Sequence, residues 1–375
     1  MDLLTLYGKI AIVLTTVFWC TTARAQDPTF SSQFWADRIY INPAYAGIES
    51  NLSASMLTRQ QWTSLNGRNQ TNFASVDAPY QYSKNANIGL GLRMVDHRAG
   101  DVGYGKFDFA PLASAHIGGR NFTLGLGLQY SLSQVRIDWS KLVFSDQLDA
   151  YQGLVSQTTA ANIGNDASNL IQDLSSGMLF RYKLGGNYEE RGFFSLGASV
   201  FHINRPRETL TGIDRRMDRR YTIHGLAHFA ISNYRKPMDK TVFMSVGYVY
   251  NTQSVLSTNT LHIRRNFGEY LFLGLAWRSE NYPLFDRARE SILFNMMIIP
   301  TSDLRLVYSY DIVVSELGAQ TTSGTHEIGI IYRFSEVFFS SSKMKRARKR
   351  EGDCWYYQPK GSSRIPSNVR DMLVY

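Results

Sequence analysis

The chain has 375 residues and a formal net charge of +9, and no stretch beyond its N-terminal region offers the run of about 18 apolar residues that a membrane-spanning helix needs. Cys20 falls within a predicted export signal, so only Cys354 remains and a disulfide framework is excluded. Hydrophobic content of 44% with a mean hydropathy of −0.23 is common in soluble proteins. Strands that alternate apolar and polar residues give the same average, so a soluble β protein and a membrane barrel both remain open.

Residues 1–25 are predicted to be an export signal. Lys9 precedes the apolar run Ile10–Trp19, and Ala23-Arg24-Ala25 supplies a small-x-small cleavage pattern before Gln26. The apolar run is too short for a transmembrane helix. The mature protein is therefore expected to begin at Gln26, outside the cytoplasm.

Residues 26–47 precede the first predicted strand and show no clear periodicity. This segment is expected either to fold into a barrel lumen as a plug or to form a periplasmic contact. Its candidate buried anchors are Phe30, Phe34, Trp35 and Tyr40. Pro43 and Gly47 fit a plain turn into the first strand equally well.

The segment Asn121–Leu132 shows the pattern that recurs through the rest of the chain. Large apolar side chains occupy every second position and alternate with Thr, Gly, Gln and Ser. About ten such residues at roughly 3.3 Å each, tilted by about 40°, span the apolar band of an outer-membrane barrel, roughly 25 Å tall. Fourteen segments of this kind lie between residues 52 and 334.

The connections between these segments alternate in length. Compact turns such as Gly118–Arg120 and Pro300–Asp303 alternate with long polar loops such as Ser140–Ser175 and Asn204–Arg220. Short turns on one rim and long loops on the other, with an even strand count, are typical of outer-membrane barrels. We therefore predict an all-β fold, a transmembrane antiparallel outer-membrane β-barrel of about 14 strands over residues 48–334, with the long loops outside. A soluble β protein explains the alternating connections poorly.

Charged residues within the strands are predicted to face the lumen, because a Lys or Arg facing lipid near the midplane costs about 2–4 kcal/mol. The charged residues that alternate with apolar ones in this way are Lys106, Asp108, Arg305, Asp311, Glu327 and Arg333.

Signatures of catalysis or cofactor binding are weak. Gly89-x-Gly91 and Gly125-x-Gly127 lie mid-strand with no helix following, so they are predicted to relieve crowding in the lumen or to let the strands bend, rather than to bind phosphate. His224 and His228 share a strand face but lie roughly 13 Å apart along an extended chain, too far to share one zinc ion. No G-x-S-x-G elbow or triad signature occurs, so we expect no enzymatic activity, no metal and no cofactor.

Two basic regions are candidate docking surfaces. The loop Asn204–Arg220, predicted to be extracellular, contains Arg215, Arg216, Arg219 and Arg220, which suit either an acidic partner or lipopolysaccharide phosphates. Residues 335–375 form a predicted periplasmic tail with nine basic and four acidic residues. An exported protein does not meet nucleic acid, so anionic lipid or a periplasmic protein is the preferred target, and a disordered tail is the alternative. The candidate docking residues of the tail are Lys345, Arg346, Arg348, Trp355, Tyr356 and Tyr357.

Several short motifs are distinctive. The run Asn42-Pro43-Ala44-Tyr45-Ala46-Gly47 lies ahead of the first strand, Arg59-Gln60-Gln61-Trp62 ends that strand, and His326-Glu327-Ile328 opens the last. In this arrangement they resemble the opening signature, the R-x-Q-W element and the closing strand of the PorP/SprF outer-membrane proteins of Bacteroidota type IX secretion and gliding systems. The resemblance runs from about Gln26 to Phe334 and does not cover the basic tail.

The resemblance implies a non-enzymatic scaffold in the outer membrane of a Gram-negative bacterium, surrounded by outer-membrane lipids. It also implies protein partners: a secreted adhesin or its C-terminal sorting domain, and a periplasmic type IX secretion lipoprotein or peptidoglycan-binding protein. A transport barrel for a small hydrophobic ligand is the alternative, since fourteen strands and an N-terminal plug would suit that function as well.

Overall fold

A computed structural model describes residues 31–36, 38–49, 51–64, 69–83, 85–100, 103–119, 121–149, 153–154, 156, 170–184, 192–208, 215–231, 242–268, 270–281, 289–314, 323–334 and 339–340. The predicted export signal, the candidate anchor Phe30 and the candidate docking residues of the tail, from Lys345 to Tyr357, lie outside these described residues.

Fourteen long antiparallel strands build the fold. They are β1 (Leu52–Gln61), β2 (Asn69–Ser83), β3 (Ala86–Ala99), β4 (Tyr104–Gly118), β5 (Phe122–Arg136), β6 (Ile171–Leu184), β7 (Gly192–Phe201), β8 (Arg220–Ala230), β9 (Phe243–Gln253), β10 (Leu256–Phe267), β11 (Leu271–Asn281), β12 (Arg289–Ile298), β13 (Leu304–Val313) and β14 (Thr325–Phe334).

The sheet closes on itself. Each strand pairs with its neighbours in the chain, and β14 pairs with β1 from Leu52↔Phe334 to Gln61↔Thr325. The predicted antiparallel barrel of about 14 strands is therefore confirmed. Beyond β14, the two residues Phe339–Ser340 pair in parallel with Tyr80 and Gln81 of β2, where β2 extends past the start of β1.

The two rims differ in their connections. The long-loop rim carries residues 137–170 and 202–219, whereas the short-turn rim carries tight connections such as residues 119–121 and 299–303. The long-loop rim also carries the two-residue turn Ser254–Val255 between β9 and β10. Loop length therefore distinguishes the rims on average and not at every hairpin.

Large apolar side chains face outward. Along β5, Leu124, Leu126 and Leu128 are 52%, 67% and 59% exposed, whereas the intervening Gln129 and Ser131 are 1% and 3% exposed. A water-soluble protein would reverse this arrangement, and a barrel in lipid requires it. The charged residues predicted to face the lumen do so: Arg305, Asp311, Glu327 and Arg333 are buried, and Lys106 and Asp108 line a cavity inside the barrel.

Short helical elements occupy the lumen and the long-loop rim. Helix α1 (Arg38–Ile41) and a 3-10 helix (Pro43–Tyr45) precede β1, and two further 3-10 helices (Trp139–Lys141 and Ser145–Gln147) follow β5. The same rim carries two small ladders, Leu148–Asp149 with Gly153–Leu154 and Arg207–Glu208 with Arg215–Arg216. Within the described residues, no helix has the length and apolar character needed to cross a bilayer.

Candidate functional site: the occupied lumen

Residues 31–36 and 38–49, called here the lumenal segment, run through the barrel from the long-loop rim to the short-turn rim. Ser32 contacts Arg59 and Glu327 near the ends of β1 and β14 that face the long-loop rim. At the opposite end, the Gly47 N–H donates to Asp77 Oδ2 at 2.7 Å, and the Gly47 carbonyl accepts from Asn87 Nδ2 at 3.1 Å. The chain therefore descends the lumen before it turns back into β1.

Charged groups hold residues 31–33, which we call the loop-side anchor. The Ser32 N–H donates to Glu327 Oε1 at 2.8 Å, and the Ser32 hydroxyl accepts from Arg59 at 2.7 Å and from Arg278 at 3.0 Å. Arg59 also pairs with Glu327 at 2.7 Å, and Arg278 pairs with Asp311 at 3.0 Å. All four charged side chains are buried, so these pairs are shielded from solvent screening.

Apart from the Gly47–Asp77 contact, hydrogen bonds between neutral groups hold residues 42–47, which we call the turn-side anchor. Asn42 accepts from the Ala44 N–H at 2.9 Å and so caps the 3-10 helix. Its amide nitrogen donates to the carbonyls of Met178 at 2.8 Å and Ala198 at 3.3 Å, on β6 and β7. The Asn42 side chain therefore caps the segment's own helix and also binds backbone carbonyls of two strands of the wall.

Strand β4 binds the backbone of the same anchor. His116 Nε2 lies 2.8 Å from the Ala44 carbonyl, and the Ser114 hydroxyl donates to the Ala46 carbonyl at 2.6 Å. Both carbonyls belong to fully buried alanines, so these lumenal side chains replace the water that the backbone would otherwise bind.

Glycines in the wall leave the space that the backbone of the turn-side anchor occupies. A Cβ at Gly127 would overlap the backbone of Pro43 and Ala44, and a Cβ at Gly89 would overlap the Ala46 carbonyl. Gly47 itself has a φ of +60°, which favours glycine. The sequence prediction that these strand glycines relieve lumenal crowding is confirmed, and their neighbour proves to be the lumenal segment.

Three of the predicted anchors are buried in the lumen. Phe34, Trp35 and Tyr40 are 7%, 5% and 4% exposed. The Arg264 guanidinium lies 4.4 Å from the Trp35 ring centre, and the Arg93 guanidinium lies 4.7 Å from that of Tyr40. These cation–π contacts let buried arginines and aromatic rings share one lumen.

Two titratable groups of the lumenal segment are perturbed. Burial raises the pKa of the Tyr45 hydroxyl, which lies 3.3 Å from His224 Nδ1. Burial acts to raise the pKa of the Glu49 carboxyl, but the surrounding arginines, Arg333 and Arg38 foremost, together outweigh it and hold that pKa below its usual value. Glu49 accepts from Arg333 at 2.7 Å and from Arg38 at 3.1 Å.

The described residues line two cavities, among others, beside the lumenal segment. One, of about 30 Å³, is lined mostly by polar and charged side chains, among them Arg93, Asp173, His202 and Arg220. The other, of about 20 Å³, lies between Phe34, Tyr40 and Ile41 of the lumenal segment and the strand residues Val249, Thr260 and Arg278. Within the described part of the chain, no group of three His, Cys, Asp or Glu side chains is placed to hold a metal ion.

The predicted arginine cluster of the loop Asn204–Arg220 is divided by the structure. Arg216 and Arg219 are exposed at the long-loop rim, and the Arg215 side chain is outside the described set. Arg220 is 2% exposed, and its guanidinium lies 4.0 Å from the Phe201 ring centre inside the barrel. Its inclusion in an exposed docking surface is therefore corrected: as the first residue of β8, Arg220 occupies an inward-facing position.

Sequence reasoning missed the partners that bind the lumenal segment. Arg59 and Glu327 are direct cross-strand partners although they are 268 residues apart. The available signal was that each charge falls at an inward-facing position near the same rim of its strand. The periodicity of one strand predicts which side of the sheet such a residue faces, but it does not predict the residue that it pairs with.

The family model described as type IX secretion system membrane protein PorP/SprF matches residues 23–332. No curated protein matches the sequence.

Several solved outer-membrane proteins resemble the fold. The toluene transporter TbuX of Ralstonia pickettii is 10% identical, with 80% of this chain and 94% of that chain covered and a TM-score of 0.45. Omp33 of Acinetobacter baumannii is 8% identical, with 77% and 100% covered and a TM-score of 0.40. BamA of Haemophilus ducreyi is 11% identical, with 76% and 71% covered and a TM-score of 0.39. Likeness this distant says nothing about what the chain binds.

The family match spans the lumenal segment and almost the whole barrel, including the N-P-A-Y-A-G run and the glycines that seat it. The barrel fold and the family together indicate the outer membrane. This chain belongs to the PorP/SprF family of type IX secretion system membrane proteins.

Proposed function

We propose that this protein is a plugged, non-enzymatic scaffold of the type IX secretion or gliding machinery, which binds other proteins at its two rims. The supporting observation is the lumenal segment, which is hydrogen-bonded to the wall at both ends and packed against wall glycines between them. A lumen occupied by the chain itself favours docking over passage.

Transport of a small hydrophobic ligand is the weaker alternative. Both cavities are small, about 30 and 20 Å³, and the larger is lined mostly by polar and charged side chains such as Arg93 and Asp173. An apolar ligand would desolvate these groups without replacing their hydrogen bonds, which is unfavourable.

At the long-loop rim, the proposed partner is a secreted adhesin or its C-terminal sorting domain, and the rim is proposed to face the cell exterior. Arg216 and Arg219 are exposed there, on the segment between β7 and β8. Exposed guanidinium groups suit an acidic surface, to which they can form bidentate hydrogen bonds.

At the short-turn rim, the proposed partner is a periplasmic lipoprotein or peptidoglycan-binding component of the same machinery. Phe339–Ser340 pairs with β2 at this rim, so the basic tail begins beside the wall. Lys345, Arg346, Arg348 and the aromatic run Trp355-Tyr356-Tyr357 are the proposed docking residues of the tail.

Conductance tests the plug. We expect the wild-type protein in planar bilayers to show little conductance, and Trp35→Ala and Tyr45→Ala to raise it without reducing the yield of inserted barrel. Trp35 lies under Arg264, and Tyr45 contacts His224, so each truncation loosens the lumenal segment. A large wild-type conductance that neither variant changes would contradict the plug and favour the transport alternative.

Gentle purification from native membranes tests the docking surfaces. A chain ending at Ser340 retains the pairing with β2, so loss of a co-purifying periplasmic protein would be assigned to the tail rather than to barrel damage. Trp355→Ala with Tyr356→Ala should reproduce much of that loss.

At the opposite rim, Arg216→Glu with Arg219→Glu should weaken adhesin recovery. Arg136→Glu, at an exposed position at the end of β5 near the same rim, is the control. Retention of every partner by all of these variants would contradict the scaffold proposal.

A further inference from the structure

The seam between β1 and β14 poses a problem that the other strand pairs do not. Every other neighbouring pair is consecutive in the chain, so the connection between the two strands limits their register. The strands β1 and β14 stand at opposite ends of the barrel sequence and share no connection. Their register, Leu52↔Phe334 to Gln61↔Thr325, must be selected by side chains.

The lipid-facing side chains select this register weakly. The outward positions of β1 are Leu52, Ala54, Met56, Thr58 and Gln60, of which only Leu52 and Met56 are large hydrophobes. A slip by two residues would keep every side chain on its proper face. It would also change the shear of the barrel and therefore its cross-section.

The lumenal segment contacts the seam at both ends. At the loop side, Ser32 donates to Glu327 of β14 and accepts from Arg59 of β1, and these two residues are direct register partners. At the turn side, Glu49 accepts from Arg333 of β14 at 2.7 Å. Glu49 lies three residues before Leu52, the first residue of β1. In between, the segment packs against wall glycines on β3 and β5, so it also matches the lumen's cross-section.

We propose that the lumenal segment has a second function as the built-in template for barrel closure, selecting the register of β14 against β1. Ser32 bridges the Arg59–Glu327 pair only when these two residues face each other, and Glu49 meets Arg333 only when β14 ends beside the start of β1. A register shifted by two residues separates both sets of partners by about 7 Å along the strand.

Disulfide crosslinking across the seam tests the proposal, in a Cys354→Ser background. Met56→Cys with Ile330→Cys reports the native register, because these residues face each other and point outward. Met56→Cys with Ile328→Cys, or with Tyr332→Cys, reports a slip by two, since diagonal pairs in the native register lie too far apart for a disulfide. Each pair is combined with the template variant Ser32→Ala/Glu49→Gln, and crosslinks are counted only in refolded, heat-modifiable barrels.

We expect the template variant to lower the ratio of native to slipped crosslinks by about tenfold, the factor that corresponds to one lost hydrogen bond to a charged group. Tyr248→Cys with Leu261→Cys, on the connected strands β9 and β10, should crosslink equally in both backgrounds. Asp108→Asn, which removes a lumenal ion pair with Arg93 away from the seam, should leave the seam ratio unchanged. An unchanged ratio in the template variant would overturn the proposal.

If the template variant fails to fold, a disulfide formed across the seam before refolding tests whether the missing register is the cause. The Met56→Cys/Ile330→Cys disulfide, formed in denaturant before refolding, supplies the register covalently and should restore the yield of inserted barrel. The Tyr248→Cys/Leu261→Cys disulfide should not. Equal yields with the two disulfides would show that the lumenal segment supports the barrel in some way other than closure.

Discussion

The two anchors of the lumenal segment hold the same chain by different means. The loop-side anchor, residues 31–33, lies in a buried network of Arg59, Arg278, Asp311 and Glu327. The turn-side anchor, residues 42–47, uses mostly hydrogen bonds between neutral groups and close backbone contact with wall glycines. A charged network is sensitive to the loss of one partner, whereas a packed seat is sensitive to added volume. Variants that act on only one of these mechanisms separate the two anchors.

The largest expected effect is at the loop-side anchor. Glu327→Gln removes the carboxylate that Arg59 and Ser32 share, and leaves Arg59 buried without it. Breaking a buried ion pair from one side typically costs about 3–5 kcal/mol. The free energy of unfolding, from denaturant titration in lipid vesicles, should fall by about that amount. Asp218→Asn, which removes the half-buried partner of the exposed Arg205, should cost less than about 1 kcal/mol. Equal losses in the two variants would contradict the buried network.

The turn-side anchor should respond to a single added methyl group. Gly127→Ala places a Cβ against Pro43 and Ala44, whereas a Cβ at Gly105 meets one backbone atom at an ordinary 3.8 Å. Gly127→Ala should therefore cost about 1–3 kcal/mol and raise conductance by displacing the segment. Gly105→Ala, the matched control, should do neither. If Gly127→Ala behaves like its control, the lumenal segment is not seated where we describe it.

Asn42 separates the segment's internal cap from its attachment to the wall. Asn42→Asp keeps the oxygen that accepts from Ala44 and loses the amide donor to Met178 and Ala198, whereas Asn42→Ala loses both. We expect a loss of about 1–2 kcal/mol for Asn42→Ala, with conductance raised in both variants. Low conductance in both would show that the wall contacts of Asn42 are dispensable.

The smallest expected effect is the pH dependence contributed by Glu49. Its pKa is held below the usual 4.5 in the folded protein, so its stabilising contribution is complete above that pH and is lost as the pH falls through the folded value. Unfolding between about pH 5 and pH 3 should therefore show a steeper loss of stability in the wild type than in Glu49→Gln. Parallel curves would show that Glu49 gains nothing from Arg333 and Arg38.

The sequence predicted the wall more fully than its contents. Alternation in segments such as Asn121–Leu132 was sufficient for the barrel, the strand number and the inward facing of Arg305 and Glu327, because facing is a local property of a strand. It placed Arg220 with the exposed arginines, since the boundary between loop and strand decides that residue's facing. Boundaries depend on pairing with neighbouring strands, which no local pattern contains.

The sequence predicted several of the residues that lie in the lumen, but it did not predict which of them contact each other. Phe34, Trp35 and Tyr40 were recognisable as apolar groups in need of a partner, and Gly89 and Gly127 as small lumenal positions. That the glycines seat Ala46 and Ala44, and that Ser32 lies between Arg59 and Glu327, was decided by tertiary structure alone. Closing the barrel brings together residues from the two ends of the chain, and the contacts that fill its lumen exist only after that closure.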